Sequence, residues 1–134
     1  ISFLEDALTR LGLKATTLHA RAEDAARMAA HREQYDAAVS RAVANAATLQ
    51  ELTLPFVKKG GISIAWKGPG VADEMTAAKR AAFLLGGTIR GTVDAPIPRR
   101  EDWAHVLLLT DKTGVTPKTY PRKAGTPGKK PLGM

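Results

Sequence analysis

The sequence predicts an α/β protein built on a mostly parallel β-sheet with a final antiparallel strand. The first observation is a regular alternation of segments with helical and with strand-like patterns, which is typical of parallel strands joined through helices. The second is that the last two strand-like segments, residues 88–93 and 106–110, are joined by a loop rich in proline and charge rather than by a helix. We therefore expect the last strand to be antiparallel and to lie at the edge of the sheet.

Four segments have helical periodicity. In the first, apolar residues recur three or four positions apart from Phe3 to Leu11, and Gly12 follows as a residue that commonly ends helices. The segment 71–85 is the clearest, because its acidic residues lie in the first turns and its basic residues later, as the helix dipole favours. The other two predicted helices span 21–32 and 43–56.

Five segments have strand character, and they alternate with the helices until the closing pair. They are residues 15–20, 35–39, 62–66, 88–93 and 106–110. In open α/β sheets, ligands bind beyond the carboxyl ends of the strands. This rule selects the residues that follow the first three strands as the functional rim, namely 20–24, 40–42 and 66–70.

The positive charge is concentrated in the last part of the sequence. The net charge is +7, and six of these charges come from residues 112–134, which contain no Asp or Glu. Because these residues are also rich in proline and glycine, we expect an extended basic arm over 112–134 after a domain over 1–111. A cationic arm is typical of proteins that bind phosphate-rich partners, although a solubilising disordered tail has the same composition.

Composition excludes several classes of protein. The 134 residues are enough for one domain, and no apolar run reaches the roughly 18–20 residues of a membrane span. The absence of cysteine excludes disulfides and thiolate metal sites, and His19, His31 and His105 lack metal-ligand spacing. We therefore expect a cytoplasmic protein that uses no metal. The sequence begins with Ile1, already inside an apolar pattern, so we expect a segment upstream of it.

A series of short motifs, in a fixed order, points to a known family. The motifs are RAED at 21–24, YD at 35–36, SRA at 40–42, Leu52 with Pro55, KGG at 59–61, KG at 67–68, YPRK at 120–123, Gly125, Pro127 and PL at 131–132. With these motifs the sequence resembles the bacterial 16S ribosomal RNA guanine-N7 methyltransferase family, the glucose-inhibited division protein B family. The resemblance covers nearly the whole chain, and its closing motif is specific.

The resemblance implies a class I, Rossmann-like methyltransferase that uses S-adenosylmethionine. Family members carry an upstream strand, a Gly-rich turn and an acidic strand end that hold the cofactor, and no such turn follows a strand here. The sequence therefore looks like the C-terminal part of such an enzyme, truncated at its N-terminus. In the family sheet, two strands lie between the equivalents of 15–20 and 35–39. Without those two intervening strands, we expect the segments 15–20 and 35–39 either to pair directly with each other or to leave a poorly stable protein.

Three residues are candidates for cofactor binding. The resemblance implies that Ala22 and Glu23 contact the adenine side of the cofactor. A guanidinium at the position of Arg41 can hold the cofactor carboxylate, or an RNA phosphate, through a forked pair of hydrogen bonds. Each has a simpler interpretation: Glu23 stabilises the first turn of a helix, and Arg41 forms a surface ion pair with Asp36 or Glu51.

Five basic residues are candidates for RNA binding. Lys67 follows a predicted strand at the functional rim, where RNA or another substrate would approach. Arg122, Lys123, Lys129 and Lys130 belong to the arm and either bind phosphates or fold over the rim. The simpler interpretation of the four arm residues is a solubilising disordered tail.

The predicted function is S-adenosylmethionine-dependent methylation of guanine N7 in 16S ribosomal RNA of the small ribosomal subunit. Guanine N7 already presents a lone pair, so we predict no general base and no catalytic residue of that kind. We expect the full-length protein to be monomeric and this fragment to be inactive alone. The alternative is a non-enzymatic RNA- or ribosome-binding module that uses the arm. A third option is a class I methyltransferase with another substrate, since the fold does not set the substrate.

Overall fold

The structure is a computed structural model that describes residues 2–41, 44–100, 102 and 104–134. The helices are α1 (Ser2–Leu11), α2 (Ala22–Ala25), α3 (Ala46–Thr53), α4 (Met75–Leu84) and α5 (Thr126–Lys129). The strands are β1 (Tyr35–Arg41), β2 (Val57–Lys67), β3 (Gly87–Asp94) and β4 (Val106–Lys112). Short 3-10 turns lie at Leu54–Phe56 and Pro69–Glu74.

The four strands form one sheet in the order β1-β2-β4-β3. β1 and β2 are parallel, and β4 is antiparallel to both β2 and β3. Three strands thus run in one direction and the last runs in the other, which confirms the predicted α/β class and the Rossmann-like sheet with a final antiparallel strand.

The predicted position of that last strand at the edge is wrong, because β4 lies between β2 and β3. β4 is the more apolar of the closing pair, and its residues Leu108 and Thr110 are buried. β3 carries the exposed Thr88, Arg90 and Thr92, so it tolerates the edge, where one side of the backbone faces solvent.

The helices α3 and α4 pack against each other on one face of the sheet, as expected for successive crossover connections of the same hand. Between them and the sheet lies a core of small and branched side chains: Ala46, Leu49, Ala65, Val71, Ala78 and Leu108. This layer fixes the strand ends that form the functional rim.

Both predicted helices on this face are shorter than the sequence indicated. α3 begins after Asn45, whose side chain caps it by accepting a hydrogen bond from the Thr48 N–H at 2.9 Å. The predicted helix 71–85 is a 3-10 turn up to Glu74, and only then α-helical. Among the described residues, no helix has the length and apolar character needed to cross a membrane.

The segment before β1 differs most from the predictions. Residues 15–20 form no strand, and no described strand pairs with β1 on its outer side, so the predicted direct pairing is wrong. A strand needs a neighbour for its N–H and C=O groups, and residues 15–20 have none. The predicted helix 21–32 shortens to α2 followed by turns, because tertiary contacts of Arg27 and Arg32 replace regular helix packing.

The arm, residues 112–134, is folded onto the protein, so the predicted extended conformation is wrong. Pro121, Pro127 and Leu132 are buried, and Leu132 packs in a second apolar cluster with residues of α3 and α4. The arm also contains the short helix α5. The proline- and glycine-rich composition correctly indicates that the arm has little regular secondary structure. Apolar contacts nevertheless hold the arm against α3 and α4. The division of the chain at 111/112 stays a prediction.

Candidate functional site

The carboxyl ends of β1 and β2 lie side by side. Arg41, the last residue of β1, is the register partner of Trp66 in β2, and Lys67 ends β2 one residue later. The rim segments that the sequence predicts after these two strands therefore meet at one edge of the sheet. Residue 42 of the segment 40–42 lies outside the described part of the chain.

Arg41 stacks on an aromatic ring at this edge. Its guanidinium carbon lies 5.3 Å from the centroid of the Trp66 ring, a cation–π arrangement that leaves the N–H groups available as donors. The sequence offered Asp36 and Glu51 as ion-pair partners of Arg41. Asp36 pairs instead with a lysine of β2, and Glu51 pairs with an arginine of the arm. The ion-pair interpretation of Arg41 is therefore wrong.

Lys67 is held inside the rim. Its Nζ donates to the backbone oxygen of Ala44 at 2.9 Å and lies 3.1 Å from Oε1 of Glu74, and its side chain is only 12% exposed. The same carboxylate accepts a hydrogen bond from the N–H of Ala46. Lys67 and Glu74 thus fix the turn that leads into α3, and the ammonium predicted to contact RNA is engaged within the protein.

Glu23 links the rim to the arm. The residue is buried, and its Oε2 accepts hydrogen bonds from the N–H of Gly125 at 2.8 Å and from Arg21 at 3.4 Å. Burial alone raises the pKa of Glu23, but the hydrogen bonds from Gly125 and its own backbone, together with Arg21, lower it overall. The carboxylate is therefore ionised at neutral pH and binds the arm.

A cavity of about 360 Å³ lies between β1, α2 and α3. Its lining is mostly apolar and consists of Ala22, Tyr35, Ala38, Val39, Ser40, Leu49, Leu52, Thr53 and Phe56. Among its hydroxyl groups, the Oγ of Ser40 is buried and has no hydrogen-bond partner. Buried polar atoms are normally paired, so an unpaired hydroxyl in the wall of this cavity is a possible contact for a ligand.

These residues fit part of the cofactor that the resemblance implies. The cavity volume is within the range of about 300–1,000 Å³ for small-molecule sites, and its apolar wall at Ala22 suits an adenine ring. Ser40 supplies a hydroxyl that can donate or accept, and Arg41 supplies donors at the adjoining strand end. Glu23 differs from the expectation, because its carboxylate is engaged by Gly125.

Two arginines that follow α2 hold the arm in place. Arg32 donates to three carbonyl oxygens between residues 116 and 120 at distances of 2.8–3.1 Å. Arg27 donates to the carbonyl oxygen of Pro121. These hydrogen bonds connect the arm to the segment that carries Ala22 and Glu23, the predicted adenine-binding residues. The positions of these two residues and of the arm therefore depend on each other.

The strongest contact of the arm is a buried ion pair. Glu51 of α3 is 0% exposed and accepts from the backbone N–H, the Nε and the Nη2 of Arg122 at 2.7, 3.1 and 2.7 Å. The Nη2 of Arg122 also donates to the Lys130 oxygen at 2.6 Å. The guanidinium that the sequence assigns to RNA is therefore engaged within the protein, and the pKa of Arg122 is raised by its bond to Glu51.

The other three basic candidates of the arm face solvent. Lys123, Lys129 and Lys130 are exposed, and α5 carries Lys129 in its last turn. Among the described residues, none of the ion pairs involves any of these three side chains. Their charges are available to an anionic partner.

Sequence reasoning missed two residues of this site. Glu51 was considered only as a surface partner of Arg41, yet it is the acceptor for the arm. Its position on the buried face of α3, between Leu49 and Thr53, could have indicated a buried partner. Ser40 lies within the predicted rim, but nothing in its local sequence distinguishes an unpaired hydroxyl from a paired one.

Comparisons with known proteins agree on one family. The family model GidB, described as rRNA small subunit methyltransferase G, matches residues 1–96. Among curated proteins, the ribosomal RNA small subunit methyltransferase G of Clostridium perfringens strain 13 is 47% identical over 98% of this chain and 55% of its own length. The proteins of the same name from Clostridium botulinum strain Loch Maree and Lactobacillus johnsonii are 48% and 43% identical, with the same coverage. The chain spans about half the length of the curated relatives it matches.

Proposed function

This chain belongs to the GidB family of rRNA small subunit methyltransferase G, and from that membership we propose that it contributes to S-adenosylmethionine-dependent methylation of guanine N7 in bacterial 16S ribosomal RNA. The observation that carries the proposal is the family match over residues 1–96, together with relatives 47% identical over 98% of the chain. The enzyme acts as a monomer in the cytoplasm, where small ribosomal subunits are assembled, and needs no metal ion.

In this proposal the rim holds the cofactor. The cavity wall at Ala22 and the hydroxyl of Ser40 bind its adenosine part, and the guanidinium of Arg41 binds its carboxylate through charge-assisted hydrogen bonds. Glu23 keeps Ala22 in position through its hydrogen bond to Gly125. When bound, the cofactor supplies an electrophilic methyl group on a sulfonium.

The chain's own contribution to the reaction is alignment. Guanine N7 is a nucleophile without deprotonation, so no side chain has to remove a proton. Holding the base and the methyl group in line is an effect that reaches about 7–11 kcal/mol in favourable cases. Lys123, Lys129 and Lys130 supply phosphate contacts that bring the RNA to this rim, whereas the half-buried Arg122 and Lys67 form contacts within the protein.

The activity is tested with the complete protein that contains this sequence. We expect it to transfer labelled methyl groups to 16S ribosomal RNA, and chemical cleavage at 7-methylguanine to map them to one position. Replacing Arg41 with alanine should weaken cofactor binding at least about tenfold, since a hydrogen bond to a charged group contributes about 1.5–3 kcal/mol. The measurement is isothermal titration with the cofactor.

Arg90 provides a matched control, because it is an exposed arginine of β3 that pairs with Asp111 of β4. Its replacement with alanine should leave cofactor affinity unchanged. An Arg41→Ala protein with wild-type affinity would remove Arg41 from the site. A complete, folded protein that binds no cofactor and methylates no RNA would refute the proposed activity.

The second candidate function, RNA binding without catalysis, is favoured by the exposed lysines of the arm. Either function predicts that RNA affinity falls steeply with salt. The double replacement Lys129→Ala/Lys130→Ala should reduce the slope of log K against log salt by about 1–2, since each phosphate contact contributes about 0.7–0.9.

The salt titration is measured by fluorescence anisotropy with a small-subunit RNA fragment. Lys14→Ala is the control, because Lys14 is exposed in the segment after α1. An unchanged slope in the double variant would remove the arm from the RNA interface. Salt-dependent RNA binding with no cofactor affinity in the complete protein would favour the binding module over the enzyme.

A further inference from the structure

A second cavity, of about 450 Å³, opens at the same edge of the sheet as Lys67. It is lined by Pro69, Asp94, Pro96, Ala104, His105 and Val106. Asp94, the last residue of β3, and Lys67, the last residue of β2, are both register partners of Val106, the first residue of β4. The cavity therefore lies across β4 from the rim and opens beyond the carboxyl ends of β2 and β3.

The walls of this cavity are rigid and mostly apolar. Pro69 and Pro96 both contribute proline rings to the lining, each with a fixed backbone φ. His105 is held by a hydrogen bond from the indole N–H of Trp66 and by an edge-to-face contact with the same ring. These ring-bearing side chains suit a planar aromatic ligand, and the volume is within the range of small-molecule sites.

Among the described residues of this lining, Asp94 alone carries a carboxylate. The side chain is exposed, and none of the hydrogen bonds or ion pairs between described residues uses it. An ionised carboxylate has two acceptor oxygens and no donor. It therefore favours a ligand that presents two adjacent N–H donors and disfavours one that presents an acceptor.

We propose that this cavity receives the target guanine base and that Asp94 recognises its Watson–Crick edge. The N1–H and the N2 amino group of guanine are two adjacent donors that match the two oxygens of Asp94. Adenine presents an acceptor at N1 and is repelled. Enzymes that act on a base commonly read the extruded base by its Watson–Crick edge. This contact leaves N7, on the opposite edge of the base, free to react.

A carboxylate at this position has a second consequence for the reaction. Methylation at N7 places a positive charge on the purine, and a fixed negative charge beside the ring stabilises that charge as it develops. Asp94 is therefore a recognition residue that also favours the charged product. The inference rests on the proposed methylation of guanine and names the site for its base.

The test uses the complete protein and small-subunit RNA that carries either guanine or inosine at the methylated position. Inosine keeps N1–H but lacks the 2-amino group. The wild type should prefer guanine, and Asp94→Ala should lower kcat/KM on guanine roughly 10- to 100-fold, the range expected for loss of a bidentate base contact. The guanine-to-inosine ratio should fall towards one in Asp94→Ala, while cofactor affinity stays unchanged.

Asp94→Asn keeps the shape of the side chain and serves as a second variant, because its amide presents one donor and one acceptor. It too should lose the preference for guanine. Asp36→Asn is the control, since Asp36 is an exposed carboxylate at the opposite end of β1 that pairs with Lys58. It should retain both the rate and the preference.

The outcomes separate the two hypotheses. A wild type that methylates guanine, with Asp94 variants that keep its rate and its preference, overturns the base site and leaves the proposed function intact. A wild type without preference for guanine over inosine overturns the base site as well. Absence of methyl transfer by the wild type itself refutes the proposed function.

Discussion

Replacing Glu51 with methionine is expected to lower the free energy of unfolding by about 3–5 kcal/mol, the usual cost of removing one partner from a buried ion pair. The side chain of Glu51 is 0% exposed, and that of Arg122 is 25% exposed. Without the carboxylate, the guanidinium and the N–H of Arg122 lose their acceptor inside the protein. The measurement is urea denaturation followed by tryptophan fluorescence.

The double variant Glu51→Met/Arg122→Met is the decisive control. Replacing both partners with apolar side chains of similar volume leaves no unpaired charge, so it should cost clearly less than Glu51→Met alone. Asp111→Ala, which breaks the exposed pair with Arg90, should change stability much less than either. A double variant at least as unstable as the single one would show that packing, rather than charge pairing, explains the effect.

Replacing Lys112 with methionine is expected to have a similar cost of about 3–5 kcal/mol. Its side chain is 0% exposed, and Nζ donates to the backbone oxygens of Leu54 and Val57 at 2.8 and 2.7 Å and to Glu33 at 3.0 Å. Methionine has nearly the same length, so no large cavity forms. The loss arises because three acceptors lose a charged donor. The same denaturation assay measures it.

The pH dependence provides an independent check on Lys112. Burial lowers the pKa of Lys112 from its ordinary value of 10.5, although Glu33 partly opposes the shift. Between the folded-state pKa and 10.5 the unfolded chain binds more protons, so the stability of the wild type should rise with pH in this window. The free energy of unfolding of the wild type minus that of Lys112→Met should therefore be larger at about pH 10 than at about pH 8. A constant difference between the two proteins would contradict burial as the cause.

The sequence predicted the sheet well because its strands have clear patterns. The apolar runs predicted as strands at 35–39 and 62–66 lie within β1 and β2, although β2 begins at Val57, five residues earlier than its apolar run indicated. The position of β4 was mispredicted, since order within a sheet depends on pairing between distant segments. Residues 15–20 have strand composition but no pairing partner, and composition alone does not reveal the lack of a neighbour.

The candidate site was only partly predictable for a related reason. Arg41 and Lys67 lie together because the ends of parallel strands meet, a rule that needs only the order of elements. The engagement of Arg122 by Glu51 joins residues 71 positions apart in sequence. No local pattern predicts such a contact, so a basic side chain in a Pro- and Gly-rich segment was interpreted as a solvent-facing RNA ligand.

The docking of the arm onto α3 also constrains the order of events during synthesis. α3 emerges from the ribosome well before residue 122, so the carboxylate of Glu51 is without its cation while translation continues. The layer of α3 and α4 is completed only when Leu132 reaches its apolar cluster. A chain that ends between α3 and residue 122 would therefore leave the carboxylate of Glu51 without its cation and the apolar cluster without Leu132.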